Sequence, residues 1–124
     1  MFIITVPTPV NKKNKPDLKP LLSASKFVGQ MIKKKSIVVY ESTVYPGTTE
    51  NICVPIIEKI SKLVGNKDFY FGYSPERINP GDKKHTLEKI KKVVSGSNDY
   101  STEIINKVYK SVITAGTFVT KDII

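Results

Sequence analysis

Apolar and polar positions alternate along this chain as short strand-like runs and longer helical stripes. Residues 2–6 are β-branched and aromatic and are broken by Pro7-Thr8-Pro9, which predicts a strand leading into a stiff loop. Residues 11–16 are polar and lysine-rich. Asp17 then offers an N-cap, with Pro20 tolerated in the first helical turn. Leu18, Leu21, Leu22, Val28, Met31 and Ile32 keep one helical stripe as far as Lys33-Lys34-Lys35, whose charge suits a helix C-terminus. Residues 36–41 predict a buried strand.

A second helix is expected over about residues 48–64, capped by Thr48 or Thr49, with Ile52, Ile56, Ile60 and Leu63 as its stripe and Gly65 as its stop. Pro55 inside it predicts a kink or a late start. Residues 68–73 predict a third strand ending at Ser74-Pro75-Glu76-Arg77, followed by a loop over residues 77–87. Residues 90–95 predict a fourth strand closing at Gly96. Residues 99–112 predict a helix through Ile104, Ile105, Val108 and Val112, and residues 117–119 a last strand. Strands alternating with helices imply right-handed crossovers. The expected fold is α/β, a mostly parallel sheet with helices packed on it, in one domain over residues 1–124. The chain shows no internal repeat, low-complexity segment or linker.

Composition sets outer limits. A chain of 124 residues, 40% apolar and 25% charged, reads as one soluble globular domain. No apolar run approaches the ~20 residues that span a bilayer, and residues 1–6 are too short for a signal peptide and lack a basic leader. One cysteine forms no internal disulfide, which fits a reducing, cytoplasmic setting. The net charge of +9 comes almost wholly from lysine, in the pairs and triplets Lys12-Lys13, Lys33-Lys34-Lys35, Lys83-Lys84 and Lys91-Lys92. Such runs ordinarily solvate loops and helix ends. Attraction of an anionic nucleotide and nucleic-acid binding are the two rival readings. The second is weakened because Arg77 is the only arginine and base readers lean on arginine.

The polar chemistry gathers where strands end, at Val6-Pro7-Thr8-Pro9, Glu41-Ser42-Thr43 and Ser74-Pro75-Glu76-Arg77. In a parallel sheet these ends lie on one edge, beside which ligands bind. A hydroxyl such as Thr43 can hold a water or a ribose oxygen, or simply cap the next helix. A carboxylate such as Glu76, held by Pro75 in a partly dry cleft, can act as a general base, or merely pair with Arg77 at the surface. No G-x-G-x-x-G or G-x-x-x-x-G-K-[ST] occurs, and no metal-ligand spacing. Cys53 reads as a small buried hydrophobe and His85 as a solvated loop residue.

Val6-Pro7-Thr8-Pro9, Asp17-Leu18, S-I-V-V-Y-E-S-T-V-Y-P-G-T-T-E over residues 36–50, G-Y-S-P-E-R-I-N-P-G-D over residues 72–82, and Val94-Ser95-Gly96 together resemble the UDP-glucose/GDP-mannose dehydrogenase family. They fall in the family's order and spacing over nearly the whole chain, nearest to its N-acetylated amino-sugar branch. The resemblance implies a Rossmann-like domain and an enzyme that oxidises C6 of a UDP-N-acetylhexosamine to the acid in two NAD-dependent steps, through a cysteine thioester. Such enzymes are usually homodimers and serve surface polysaccharide synthesis. By position, Val6, Pro7, Thr8, Pro9, Ser42 and Thr43 would line the NAD site, and Thr43 would also place the catalytic water. Glu76 would match the base of thioester hydrolysis, and Arg77, Ile78, Asn79 and Pro80 would border the sugar. Pro80 stands where the UDP-glucose branch has a second glutamate, which favours the amino-sugar branch and argues against a two-glutamate mechanism.

The resemblance also implies a partial Rossmann-like unit, its second half. It places the glycine-rich turn, the acidic ribose-binding residue, the linking helix, the active-site lysine and asparagine, the cysteine nucleophile and the nucleotide-sugar domain outside these residues. Cys53 does not match the nucleophile. The expectation is therefore a fragment without turnover of its own, with an open edge strand that favours dimerisation or docking to the missing half. A self-associating half-domain without catalysis is the second reading, and a lysine-based nucleic-acid binder the third. No membrane, nucleic-acid or metal partner is expected.

Overall fold

The computed structural model describes residues 1–75, 91–121 and 123. Its elements run β1 (Phe2–Ile4), α1 (Lys19–Met31), β2 (Ile37–Tyr40), a single π-helical turn (Thr49–Cys53) entering α2 (Val54–Ser61), β3 (Tyr70–Tyr73), β4 (Lys92–Gly96), α3 (Asp99–Lys110) and β5 (Thr117–Val119). The strands form one five-stranded sheet in the order β1-β2-β3-β4-β5. β1, β2 and β3 are parallel, β4 is antiparallel to β3, and β5 is parallel to β4. The sheet is thus mostly parallel, as the alternation predicts, with one reversal at β4.

All four residues of β2 are buried, because helices cover both faces of the sheet. Successive side chains of a strand point to opposite faces. Val38 and Tyr40 accordingly join Leu21, Val28, Cys53, Val54 and Ile57 in a core shared with α1 and α2. Ile37 and Val39 join Val94, Ile105, Tyr109 and Ile113 in a second core under α3. Two glycines of the sequence motifs are spaces that these packings need. A Cβ on Gly72 would run into Ile105 and sit 2.5 Å from the Ser95 carbonyl oxygen, and one on Gly96 would sit 2.5 Å from the Thr102 backbone nitrogen.

Several local expectations are corrected. The residue at the α1 N-cap is Leu18, while Asp17 accepts the Lys19 N–H at 3.0 Å from one position earlier. α1 closes before the lysine triplet, so Lys33, Lys34 and Lys35 lie beyond its last turn, and Met31 is exposed rather than in the stripe. Thr48 and Thr49 do not cap: the Thr48 hydroxyl donates instead to the Tyr45 carbonyl at 2.7 Å. Pro55 gives the late start, as second residue of α2. It lacks the N–H that a continuous helix needs, and the turn before it widens, with the Val54 N–H bonded to the Thr49 carbonyl. That widening rotates the helix, so Cys53, Val54 and Ile57 face the core while Ile60 is exposed and Ile52, Ile56 and Leu63 are half-buried. The helix ends at Lys62 in the left-handed region (φ 63°), ahead of Gly65. On α3 the buried stripe is Ser101, Ile105 and Tyr109, with Val108 and Val112 exposed.

Candidate functional site

β1 and β2 are parallel, with Ile4 opposite Tyr40, so the chain leaves both strands at the same edge of the sheet. The Glu41 N–H donates to the Ile4 carbonyl at 2.9 Å and carries the pairing one residue further. Beyond it, side chains replace the ladder. The Ser42 hydroxyl donates to the Val6 carbonyl at 2.5 Å, and the Thr8 hydroxyl donates to the Thr43 carbonyl at 2.7 Å. Each such bond is worth about 1 kcal/mol net, and together they hold two loops in one orientation. Val6-Pro7-Thr8-Pro9 brings its own stiffness, since proline fixes φ. The loop after β2 is closed by a type II turn: Pro46 and Gly47 are its central residues, the Thr48 N–H returns to the Tyr45 carbonyl at 3.2 Å, and Gly47 has φ 83°.

Between the two loops lies an open cleft of about 450 Å³, lined by Thr5, Val6, Pro7, Thr8, Glu41, Ser42 and Thr43. Ser42 is buried and its hydroxyl is spent on the loop, whereas Thr43 is exposed and lines the cleft. The end of β3 joins the same rim. Ser74 donates its N–H to the Tyr40 carbonyl at 2.9 Å and its hydroxyl to the Val93 carbonyl at 2.6 Å. Of the residues singled out in the sequence, the structure thus brings Val6, Pro7, Thr8, Ser42 and Thr43 around one cleft, with Pro9 in the adjoining loop. Glu76, Arg77, Ile78, Asn79, Pro80 and His85 lie outside the described residues.

A charge pair stands behind the rim, of which the sequence reading named Glu41 among the strand-end residues but not its partner Lys92. Glu41 follows Ile37 and Val39 in the alternation of β2, which aims it at α3. There its carboxylate accepts a short hydrogen bond from the Tyr109 hydroxyl. The same carboxylate lies 3.8 Å from the Lys92 ammonium, which also donates to the Pro75 carbonyl at 3.4 Å and sits over the Tyr109 ring, 5.6 Å from its centroid. Lys92 is only 3% exposed. The reading of every lysine cluster as solvated therefore fails at this position, although Lys12, Lys13, Lys33, Lys34, Lys35 and Lys91 are exposed as expected. The available signal was period two: Lys92, Val94 and Gly96 share one face of β4.

Cys53 is fully buried, as expected, against Tyr40 and Ser25. The Ser25 hydroxyl donates to the Leu21 carbonyl at 2.9 Å, so its 2.7 Å contact with the Tyr40 hydroxyl takes its hydrogen from the tyrosine. Burial pushes both the Tyr40 phenol and the Cys53 thiol above their ordinary values. Neither is poised to ionise near neutrality, which is the reverse of what a nucleophile needs. Among the described residues, no group of three or more His, Cys, Asp or Glu could hold a metal ion, and no helix is long and apolar enough to cross a membrane.

Comparison with known proteins places this geometry. A family model for the UDP-glucose/GDP-mannose dehydrogenase family, NAD binding domain, matches residues 1–113. The chain is 56% identical over 117 residues to the UDP-N-acetyl-D-glucosamine 6-dehydrogenase of Pseudomonas aeruginosa, covering 94% of this chain and 28% of that protein. It is 64% identical over 115 residues to Protein CapL of Staphylococcus aureus, covering 93% and 27%. Among solved structures, the UDP-D-ManNAc dehydrogenase of Pyrococcus horikoshii superimposes with a TM-score of 0.87 at 31% identity, over 98% of this chain and 29% of that one. The chain therefore spans little more than a quarter of the length of the curated relatives it matches.

The cleft's own chemistry is compatible with part of a dinucleotide. Val6 and Pro7 offer rigid apolar walls, and Thr5 and Thr43 bring hydroxyls suited to a ribose or a carboxamide. No cluster of backbone N–H groups on a glycine-rich turn, of the kind that holds a pyrophosphate, lies among these lining residues.

Proposed function

Because the chain belongs to the UDP-glucose/GDP-mannose dehydrogenase family, we propose that it is the second part of the NAD-binding domain of a UDP-N-acetylhexosamine 6-dehydrogenase serving surface polysaccharide synthesis. The observation that carries this reading is the joint between two parallel strand ends, where Thr8 is bonded to the Thr43 carbonyl beside an open cleft of about 450 Å³. NAD, when bound, supplies the hydride acceptor. The residues of this chain do the rest of the work assigned to them here. Val6, Pro7 and Pro9 form a stiff wall against the cofactor's nicotinamide half, and Thr8 and Ser42 keep that wall at a fixed distance from the loop after β2. The exposed hydroxyl of Thr43 contacts the cofactor and orients the attacking water. Glu76 takes a proton from that water during thioester hydrolysis, and Arg77, Ile78, Asn79 and Pro80 border the sugar. The glycine-rich turn and the cysteine nucleophile are assigned to the part of the relatives' length that these residues do not span, so this stretch alone binds dinucleotide weakly and turns nothing over.

The test is segment exchange. Residues 1–113 replace the matching stretch of the P. aeruginosa 6-dehydrogenase, and UDP-N-acetyl-D-glucosamine-dependent NADH formation is followed. The exchanged enzyme is expected to be active. Glu76→Gln in that background should lower kcat by about 10²-fold or more, and Thr43→Val should raise the KM for NAD and lower kcat together. A well-folded exchanged enzyme with no activity, or one indifferent to Glu76→Gln, contradicts the assignment.

A partner surface belongs to the same proposal. β1 is one end of the sheet, and beside it Ile3 and Phe27, which line one cavity, are about half exposed or more. A strand whose outer edge has no partner among the described residues, flanked by apolar side chains, is a template for another strand. We assign it to the remainder of the NAD-binding domain or, in its absence, to a second copy of this chain.

A further inference from the structure

The reversal of direction at β4, which β5 follows, has a consequence at the rim. β1, β2 and β3 all finish at the cleft edge, and a parallel β4 would begin at the far edge. Because β4 is antiparallel to β3, with Tyr73 opposite Ser95, its first residue, Lys92, arrives at the cleft edge instead. The reversal delivers a cation behind two loops that carry hydroxyl and carboxylate chemistry. Lys92 is not among the residues that line the cleft between the loops, and its side chain is 4% exposed. It is placed to hold protein groups, not ligand.

We propose that Lys92 is a positioning residue. Its buried ammonium ties the Glu41 carboxylate, one residue past β2, to the Pro75 carbonyl, two residues past β3, and so fixes the spacing between the two loops of the nucleotide rim. The inference rests on the reading of that rim as the dinucleotide site.

Three observations support the tie. The loops joined are neighbours in space but 34 positions apart in sequence (75 minus 41), and the β2–β3 ladder holds them only as far as the Ser74 N–H bond to the Tyr40 carbonyl, beyond which the tie continues the pairing through side chains. The only charges brought together there among the described residues are Lys92 and Glu41, and a buried lysine costs several kcal/mol unless it is paired and hydrogen-bonded. Replacing the pair by apolar residues is often neutral or stabilising, so stability alone is a poor reason to keep it. Tyr109 completes the arrangement from α3, with its hydroxyl on Glu41 and its ring face under the ammonium. Two elements therefore converge on Glu41, β4 through Lys92 and α3 through Tyr109, and the first also reaches Pro75. Glu41 lies immediately before the Ser42-Thr43 pair and Pro75 immediately before Glu76. A shift of either loop by about 1 Å is enough to cost up to 10²-fold in rate when it carries reacting groups.

The experiment has two arms. In the exchanged P. aeruginosa enzyme, Lys92→Met should lower kcat by about tenfold or more and raise the KM for NAD, at a temperature well below its melting transition, while the far-UV spectrum stays that of the parent. Lys92→Arg, which keeps the charge and the donors, should restore most of the loss. Glu41→Gln should fall between them, since the amide keeps the Tyr109 partner but not the charge. On the 124-residue chain itself, hydrogen exchange is read by NMR. In Lys92→Met the amides of Glu41 and Ser74, which close the rim ladders, should exchange at least about tenfold faster, with Val38 and Val39 unchanged. If Lys92→Met lowers only the melting temperature and leaves kcat, KM and the rim amides at parental values, Lys92 is purely structural and the proposal is wrong. If the exchanged parent is inactive but the rim amides respond as stated, the tie stands and the functional assignment of the rim falls. If Lys92→Met unfolds the protein, Lys92→Arg and Glu41→Gln decide, because a parental profile in Glu41→Gln removes the tie.

Discussion

Thr8 and Thr43 divide the work of the cleft between backbone and side chain. The Thr8 hydroxyl is committed to the Thr43 carbonyl, whereas the Thr43 side chain is exposed at the cleft. Thr8→Val should therefore lower stability by about 1 kcal/mol, read as a shift in urea midpoint. Thr43→Val should leave stability within about 0.5 kcal/mol, as surface substitutions do. Equal costs for the two would mean that the division is wrong. Cys53 gives a second residue-scale prediction. Its folded-state thiol is raised by burial, so well below pH 9 both folded and unfolded chains keep the proton and no slope arises. Above the ordinary thiol value of 9.0 the unfolded chain releases a proton that the folded chain retains, so the free energy of unfolding falls as pH rises. Cys53→Ala should remove that part of the alkaline loss in urea melts taken at pH 7, 9 and 10. A disulfide reagent should label wild-type Cys53 at pH 8 only after unfolding.

At the scale of elements, the sequence pattern identified the strands and α-helices of the described residues and missed which face several of them bury. β2 was legible because four apolar residues in a row have one simple meaning in a sheet covered on both sides. The α2 stripe was not, because a π-helical turn adds one residue before Val54 and rotates everything after it. Period counting assumes 3.6 residues per turn and has no means of seeing that insertion. Lys92 was misread for a related reason: a Lys-Lys pair looks solvated until the antiparallel partner of β3 places one of the two inside. The rim itself was legible as a set of strand ends, since proline, hydroxyl and carboxylate residues all follow apolar runs. Which of those hydroxyls are consumed by the backbone was not, because Ser42 and Thr8 find acceptors 36 and 35 residues away. The capping of α3 offers an element-scale check. Asn98 and Ser101 satisfy each other's backbone N–H groups, so Asn98→Ala should cost about 1 kcal/mol. Lys62→Gly, at a left-handed residue closing α2, should instead gain up to about 1 kcal/mol.

The whole molecule is a three-layer α/β unit whose sheet ends in β1 on one side and β5 on the other. Exposed Ile3 and Phe27 beside β1 predict self-association of the chain with rising concentration. Sedimentation velocity should show it, and Phe27→Glu should weaken it. A monomer at every concentration would remove the docking surface. The +9 charge has a simple account at this scale. The described lysines outside Lys92 are exposed or border loops, where they favour solubility and attract anionic ligands without specifying them. Incubated alone with NAD and a UDP-N-acetylhexosamine, the chain is expected to form no NADH. The central claim is that the paired ends of β1 and β2 hold the nicotinamide half of NAD. A crystal structure of the segment-exchanged P. aeruginosa enzyme with NAD tests it most directly. The account predicts the nicotinamide riboside against Val6, Pro7 and Thr8, with the Thr43 hydroxyl within hydrogen-bond distance of the cofactor. Cofactor density elsewhere, with the cleft between residues 5–8 and 41–43 empty, would contradict it.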